Sequence, residues 1–372
     1  MNQAAYQDLS RVLSTHLKQH PKAQPIDCIK LCYQRAFGAA HFCGTPKQAL
    51  DALTHECAAL SGDENEPLLT EIGGGAVRVS LRAALAKQIP LAFFAQFFCL
   101  CAAHAPKNEA WFSEALDALE PLCAQGALPF EPQNMRTVCE AYRAKGCPPV
   151  SHSEEYRAAY APHYRVLAGH AARLFQFALA IAQKLEDSPE GTRIVAALDG
   201  FAGAGKSTAA AFLSELFGGA PVVAMDDFFL PADLRTPERF AQPGGNVHYE
   251  RFAEEVSPLL HSTKAFSYRR FDCSRMDYGA PREIASFPLV IVEGSYALHP
   301  FLRAQYDLTA FFDIEPDEQQ HRILQRSGEA MLRRFVAEWI PMERAYESAF
   351  RVKRHADFVL CTDEGAAALD TE

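Results

Sequence analysis

The sequence predicts a mainly α-helical first half followed by an α/β domain. Three observations point that way. A glycine-rich turn at residues 200–208 stands between an apolar strand pattern at 194–198 and a helical pattern at 209–216. Apolar runs at 222–225, 289–292, 307–314 and 357–360 read as further strands. Before residue 185, apolar residues recur mostly at helical spacing instead.

Composition sets the frame. At 372 residues the chain is long for one core, so two domains are expected. With 49% hydrophobic and 22% charged residues it reads as an ordinary globular chain. A net charge of −10 argues against a broad nucleic-acid surface, which needs basic side chains, yet leaves room for a locally positive nucleotide site. The first residues carry neither a basic start nor an apolar stretch, so no targeting segment is expected. The most apolar window, 89–103, is shorter than the roughly 20 residues a membrane span needs, and Gln96 interrupts it. A buried helix and no membrane partner are therefore expected. Eleven cysteines, nine of them before residue 150, form no C-x-x-C pair. They read as reduced, mostly buried thiols of a cytoplasmic protein. His41 and Cys43 are the best seed for a zinc site, although no second ligand pair has finger-like spacing.

In the first half, a helix is expected over 25–37, with Ile29, Leu31, Cys32 and Ala36 on its apolar face and Gly38 ending it. A second helix, 47–60, closes at the Ser61-Gly62-Asp63 turn. Gly73 to Gly75 form a turn that leads into a short extended piece, 77–79. Helices follow over 90–104, 109–122 and 134–144. An amphipathic helix is expected over 164–184, with Val166, Leu167, Leu174, Phe175 and Phe177 packing. The polar turn at 186–191 divides the chain into domains 1–185 and 186–372. Three clusters here could carry chemistry: Tyr33 to His41, Glu71 to Arg78, and Ser151 to Arg165, the last with His152, Tyr156, Tyr160, His163 and Tyr164. Together they supply His, Glu, Arg and Tyr, enough for an acid/base or anion site. Helix caps, with Ser151 or Ser153 as N-cap, turns and a satisfied core histidine are the favoured explanation of them.

The second half opens on the chemistry. Gly200, Gly203, Ala204, Gly205, Lys206, Ser207 and Thr208 fit the phosphate-cradling pattern G-x-x-x-x-G-K-[ST] between strand and helix. The glycines turn backbone N–H groups onto phosphate oxygens, and the helix N-terminus adds partial positive charge. Lys206 would reach the outer phosphates and Ser207 would hold Mg²⁺. The strand at 222–225 ends in Asp226 and Asp227, beside the loop if the sheet is open and parallel. A carboxylate there can accept a proton from an attacking hydroxyl or help organise Mg²⁺; Asp226 is the expected base. Glu293 ends the 289–292 strand and is the expected partner of Ser207 around the metal. The stretch 267–275, with Tyr268, Arg269 and Asp272, suits an acceptor pocket. A helix over 316–335 carries Arg322, Arg326, Arg333 and Arg334, which could swing over bound phosphates. Cys361 to Asp363 would border the adenine, and the tail from 365 is expected to fray.

These residues, taken in order over about 190–363, resemble the P-loop kinases that include uridine kinase, nicotinamide riboside kinase, phosphoribulokinase and bacterial pantothenate kinase. The resemblance rests on Gly200 to Thr208, Asp226 to Phe229, Gly245-Asn246, Tyr249 to Phe252, Tyr268 to Asp272, Val292 to Gly294 and the arginines from Arg322. It implies a five-stranded parallel sheet of order 2-3-1-4-5 flanked by helices. It also implies phosphorylation of a small-molecule hydroxyl with ATP and Mg²⁺, Asp226 as base, Glu293 near the metal, and Arg322 and Arg326 in a mobile lid. Asp227, His248, Tyr268, Arg269 and Asp272 become the candidate acceptor residues. His248 stands where the group carries an aspartate before the 249–252 run, so uridine itself is not implied; a neutral imidazole still hydrogen-bonds a diol. The first half resembles an uncharacterised module fused to some bacterial kinases. The expected function is uridine kinase-like phosphorylation of a nucleoside or nucleoside-like metabolite, with a homo-oligomer compatible. A nucleotide-gated regulator and a bifunctional enzyme acting on one metabolite are the alternatives.

Overall fold

The computed structural model describes residues 1–39, 44–105 and 107–361. The chain divides into two compact units, Met1–Arg173 and Leu174–Glu372.

The first unit comprises α1 (Gln3–Gln19), α2 (Pro25–Phe37), α3 (Pro46–Cys57), β1 (Leu69–Glu71), β2 (Val77–Ser80), α4 (Leu81–Ala86), α5 (Leu91–Ala103), α6 (Glu109–Ala124), α7 (Pro132–Ala144), α8 (Glu154–Tyr160) and β3 (Tyr164–Leu167). It is mainly helical, as expected. Helix α2 starts with Pro25 in its first turn, where a missing N–H costs nothing, and Gln24 N–H donates to the Asp27 carboxylate to cap it. It buries Cys28, Ile29, Leu31 and Cys32 completely and ends at Gly38, whose φ is +57°. Burial pushes the Cys28 thiol well up. The ten described cysteines are free, and seven of them are buried.

One expectation fails here. Residues 164–167 are not helical. They form β3, antiparallel to β2, with Ser80 opposite Tyr164 and Val77 opposite Leu167. The β1–β2 hairpin alone would leave the backbone groups of β2 unpaired on one side, and β3 satisfies them. Gly169, at φ +76°, then turns the chain into a 3₁₀ segment, His170–Leu174.

The second unit begins with α9 (Phe175–Asp187), which precedes the polar turn at 186–191 yet packs on strands of this unit. It continues with β4 (Ile194–Gly200), α10 (Lys206–Leu216), β5 (Val222–Ala224), α11 (Pro237–Phe240), α12 (Tyr249–Glu255), β6 (Phe266–Tyr268), β7 (Phe271–Asp272), β8 (Asp277–Tyr278), β9 (Arg282–Ile284), β10 (Leu289–Glu293), β11 (Leu308–Asp313), α13 (Pro316–Arg334), α14 (Ile340–Phe350), α15 (Val352–His355) and β12 (Phe358–Cys361). Five strands form one parallel sheet in the order β12-β11-β4-β10-β5. Counted from the unit's own first strand and read from the other edge, this is 2-3-1-4-5, as expected. Central β4 is buried at every position, which accounts for its unbroken apolar run. The sheet carries helices, as short βαβ crossovers require. Gly328, at φ +77° and ψ +170°, breaks α13 just after Arg326 and Ser327. Among the described residues no helix is long and apolar enough to cross a membrane.

Candidate functional site

Strand register builds the site. Because β10 lies between β4 and β5, three strand ends meet: Glu293 is level with Leu198 of β4 and with Ala224 of β5. The loop after β4 and the 3₁₀ turn after β5, Met225–Phe228, therefore flank Glu293. Ligands in open α/β sheets bind at such carboxyl ends.

The loop is shaped by its glycines. A Cβ on Gly200 would stand 2.2 Å from the Phe312 carbonyl oxygen of the neighbouring strand, so only glycine fits. Gly205, at φ +91°, sits at the N-cap of α10 and leaves the first N–H groups of the helix open to the loop. Lys206 lies along the loop, its Nζ donating to the carbonyls of Gly200 at 2.7 Å and Phe201 at 2.9 Å. The Ser207 hydroxyl donates to Glu293 Oε2 at 3.1 Å.

A cavity of about 620 Å³ opens over this loop. Gly203, Gly205, Lys206, Ser207, Thr208, Asp226, Glu293, Arg322 and Arg326 lie on its wall. Gly200 and Ala204 are buried and off this wall. Burial raises the Asp226 carboxyl above its ordinary range, with Lys206 pulling it back in part. Burial likewise raises Glu293, against Lys206 and the Ser207 hydrogen bond. Arg322 is held by Glu318 at 2.6 Å and reaches towards the Gly203 carbonyl at 3.5 Å. Ser207, Asp226 and Glu293 are hard oxygen donors, the kind Mg²⁺ takes alongside phosphate oxygens. Among the described residues no group of three His, Cys, Asp or Glu side chains could hold a metal by itself. His41 and Cys43, the zinc seed, lie outside the described residues, as do Thr362, Asp363 and the tail.

The acceptor candidates separate. Asp227 is buried and turned to a different set of partners: the Tyr268 hydroxyl donates to it at 2.8 Å, Arg282 at 2.9 Å, and Arg270 stands at 3.2 Å. It ties the β6–β9 hairpin to the turn after β5 and, like Tyr268, is off the cavity wall. Arg269 pairs with Glu255 at 2.7 Å, away from the cavity. Asp272 accepts from the backbone and hydroxyl of Ser274, capping its own turn. His248 caps α12, its N–H donating to the Phe228 carbonyl, and its ring is not on the wall either. Burial lowers its pKa, so the ring is neutral.

Sequence reasoning missed three supporting residues. Asp199, 1% exposed, accepts from the backbone of Gly200, Tyr296 and Leu298 and from the Tyr346 hydroxyl at 2.8 Å. Its signal was an acidic residue inside an apolar strand. Glu343 accepts from the Ala202 N–H at 3.0 Å and from Ser295 at 3.1 Å, and Gln319 donates to the Ala202 carbonyl at 3.0 Å. Both brace the loop from α13 and α14, with no local sequence signal. Asp199→Ala would strand four donors in a dry site and is expected to destabilise the second unit by about 3 kcal/mol, read from urea unfolding. A loss under about 0.5 kcal/mol would show that water replaces the carboxylate.

No protein-family profile matches the chain, and no curated protein matches it. About half of the chain is similar to several solved structures. One is a possible uridine kinase from Bacillus stearothermophilus, at 18% identity and TM-score 0.38, over 50% of this chain and 98% of that one. A second is a possible fructose transport system kinase from Silicibacter sp. TM1040, at 26% identity and TM-score 0.40, over 50% and 98%. A third is a D-glycerate 3-kinase from Cryptococcus neoformans, at 16% identity and TM-score 0.36, over 47% and 88%.

Proposed function

We propose that the second unit, with residues 186–372 as its functional domain, transfers a phosphoryl group from ATP to a hydroxyl of a small nucleoside-like metabolite. One observation carries this reading: the glycine-rich loop, the Ser207–Glu293 pair and the Asp226 carboxylate share one cavity. Backbone N–H groups at the start of α10 bind the phosphates, and Lys206 adds a positive charge beside them. Asp226 takes the proton of the acceptor hydroxyl as that oxygen attacks the γ-phosphorus. Arg322 and Arg326, on the segment that Gly328 hinges, neutralise the transferring group. Ser207 and Glu293 hold Mg²⁺, with Asp226 close by; the ion supplies charge neutralisation on the phosphate oxygens when bound. A polyhydroxylated acceptor enters from the Asn246 side of the wall rather than at His248.

The test is an acceptor screen. Nucleosides, sugars and vitamins are incubated with ATP and Mg²⁺, and a mass gain of one phosphate is sought. ADP formed at the same rate with and without every acceptor would favour a nucleotide-gated regulator instead. The pH dependence follows from Asp226. Its raised pKa means that the carboxylate protonates, and transfer stops, at a pH above the ordinary aspartate value of about 4. The acid limb of kcat/KM should therefore lie above that value. A limb at or below it would remove Asp226 as the titrating base.

A further inference from the structure

The first unit holds a cavity of about 370 Å³, the size of a small-molecule site. Lys30, Gln34, Phe98, His152, Tyr164 and Val166 lie on its wall. One polar chain is locked behind it. Asp27 accepts from the Ser153 N–H and hydroxyl and from the Gln24 N–H, and its Oδ1 lies 2.7 Å from His152 Nδ1. The His152 ring stacks on Tyr156 with centroids 3.9 Å apart. Its Nε2 is 2.6 Å from the Tyr164 hydroxyl, to which Gln34 Nε2 also donates at 3.0 Å. Burial, only partly opposed by Asp27, lowers His152 to about 4, so the ring is neutral. Burial would raise Asp27, but its hydrogen bonds, that of His152 first, hold it at about 2. The ring proton therefore faces Asp27, and Nε2 accepts the Tyr164 proton. Tyr164 turns a lone pair, not a proton, to the cavity.

Charge is unbalanced around this chain. Lys30 and Arg78 are 9% and 6% exposed. Lys30 donates to the Val150 carbonyl at 2.9 Å, and Arg78 donates to Gln34 Oε1 at 2.7 Å while lying 4.6 Å over the Tyr164 ring. Among the described residues neither has a carboxylate within ion-pair distance. Asp27 is committed to His152 and Ser153. Burial lowers His16 and His20, so both stay neutral. Arg165, also on the wall, is answered by Glu56 at 2.7 Å. No aspartate or glutamate is on the described wall. Two buried cations face one buried carboxylate, and an uncompensated buried charge calls for a counter-ion.

We propose that the first unit binds a small organic hydroxy-anion. Its carboxylate meets the Lys30 ammonium, its hydroxyl donates to the Tyr164 oxygen, and its apolar body lies against Phe98 and Val166. No residue of the glycine-rich loop takes part in it, so it stands or falls apart from the kinase reading.

Phenyllactate is the probe, with its methyl ester and 3-phenylpropanoate as analogues lacking the charge and the hydroxyl. All are titrated into the full-length protein and followed by saturation-transfer NMR. Phenyllactate should bind, both analogues should bind at least about tenfold more weakly, and ATP should not displace it. Tyr164→Phe should erase the preference for the hydroxyl and keep that for the acid. Lys30→Met should erase the preference for the acid. Gln34→Glu keeps the volume and gives Arg78 a carboxylate, while the Tyr164 oxygen loses its amide donor, so binding should fall at least about tenfold. No binding by any of the three probes, displacement by ATP, or binding that survives Gln34→Glu would overturn the proposal. Lost binding with a lowered melting temperature in Lys30→Met would make the network structural and overturn it too.

Discussion

Replacing Lys206 with alanine is expected to lower phosphoryl transfer by about 10³-fold or more while the second unit stays folded. The ammonium has three protons, and two are donated to the Gly200 and Phe201 carbonyls. The third is left for a ligand in the cavity, held there by the first two. Alanine removes the positive charge from the point where phosphate charge accumulates. It also leaves the two buried carbonyls without their donor, a cost of about 1–3 kcal/mol. Melting temperature should fall by several degrees, as a loss of that size implies, with the second unit still folded at the assay temperature. Coupled ADP release with an active acceptor, together with thermal melting, checks both halves of the expectation. Turnover like that of the unaltered chain would sink the kinase assignment.

Asp226→Asn is expected to cost about 10²–10⁴-fold in transfer, the usual worth of a positioned general base, while ATP still binds. Asparagine keeps the shape and loses the capacity to take a proton. The backbone cradle and Lys206 are untouched, Ser207 and Glu293 remain for the metal, and removing one negative charge near Lys206 relieves repulsion of the phosphates. Nucleotide affinity by fluorescence titration and turnover with acceptor should therefore part company. If turnover is unchanged, the proton goes elsewhere and Asp226 loses its role.

The placement of the glycine-rich loop and of the carboxylates beside it was legible because it is local. Gly200 through Thr208 are consecutive, and Glu293 and Asp226 each end an apolar run, so strand-end position could be read from composition alone. The acceptor side was not legible. Asp226 and Asp227 are adjacent and identical in type, yet one reaches the cavity wall and the other is taken by Tyr268, Arg270 and Arg282. A 3₁₀ turn separates neighbouring side chains by about a third of a circle, and nothing in the local sequence says which of them faces in. Arg269 and Asp272 fit an acceptor pocket by type but are satisfied by Glu255 and Ser274. In the first unit the clusters were visible as residue types. Their union was not: Asp27, His152 and Tyr164 meet only because α2, the loop before α8 and β3 converge.

The sequence by itself determined the glycine-rich loop, the apolar strands around it and the helical character of the first half. Each depends on residues within one or two turns or on a simple period, and such interactions survive without knowledge of the rest of the chain. The tertiary structure alone decided that 164–167 would be a strand, that Asp199 would brace the loop through Tyr346, and that Glu343 would hold Ala202. Those choices depend on partners far away in sequence. An unpaired strand edge or a buried carboxylate is too costly to leave open, and only the folded register determines which distant group closes it.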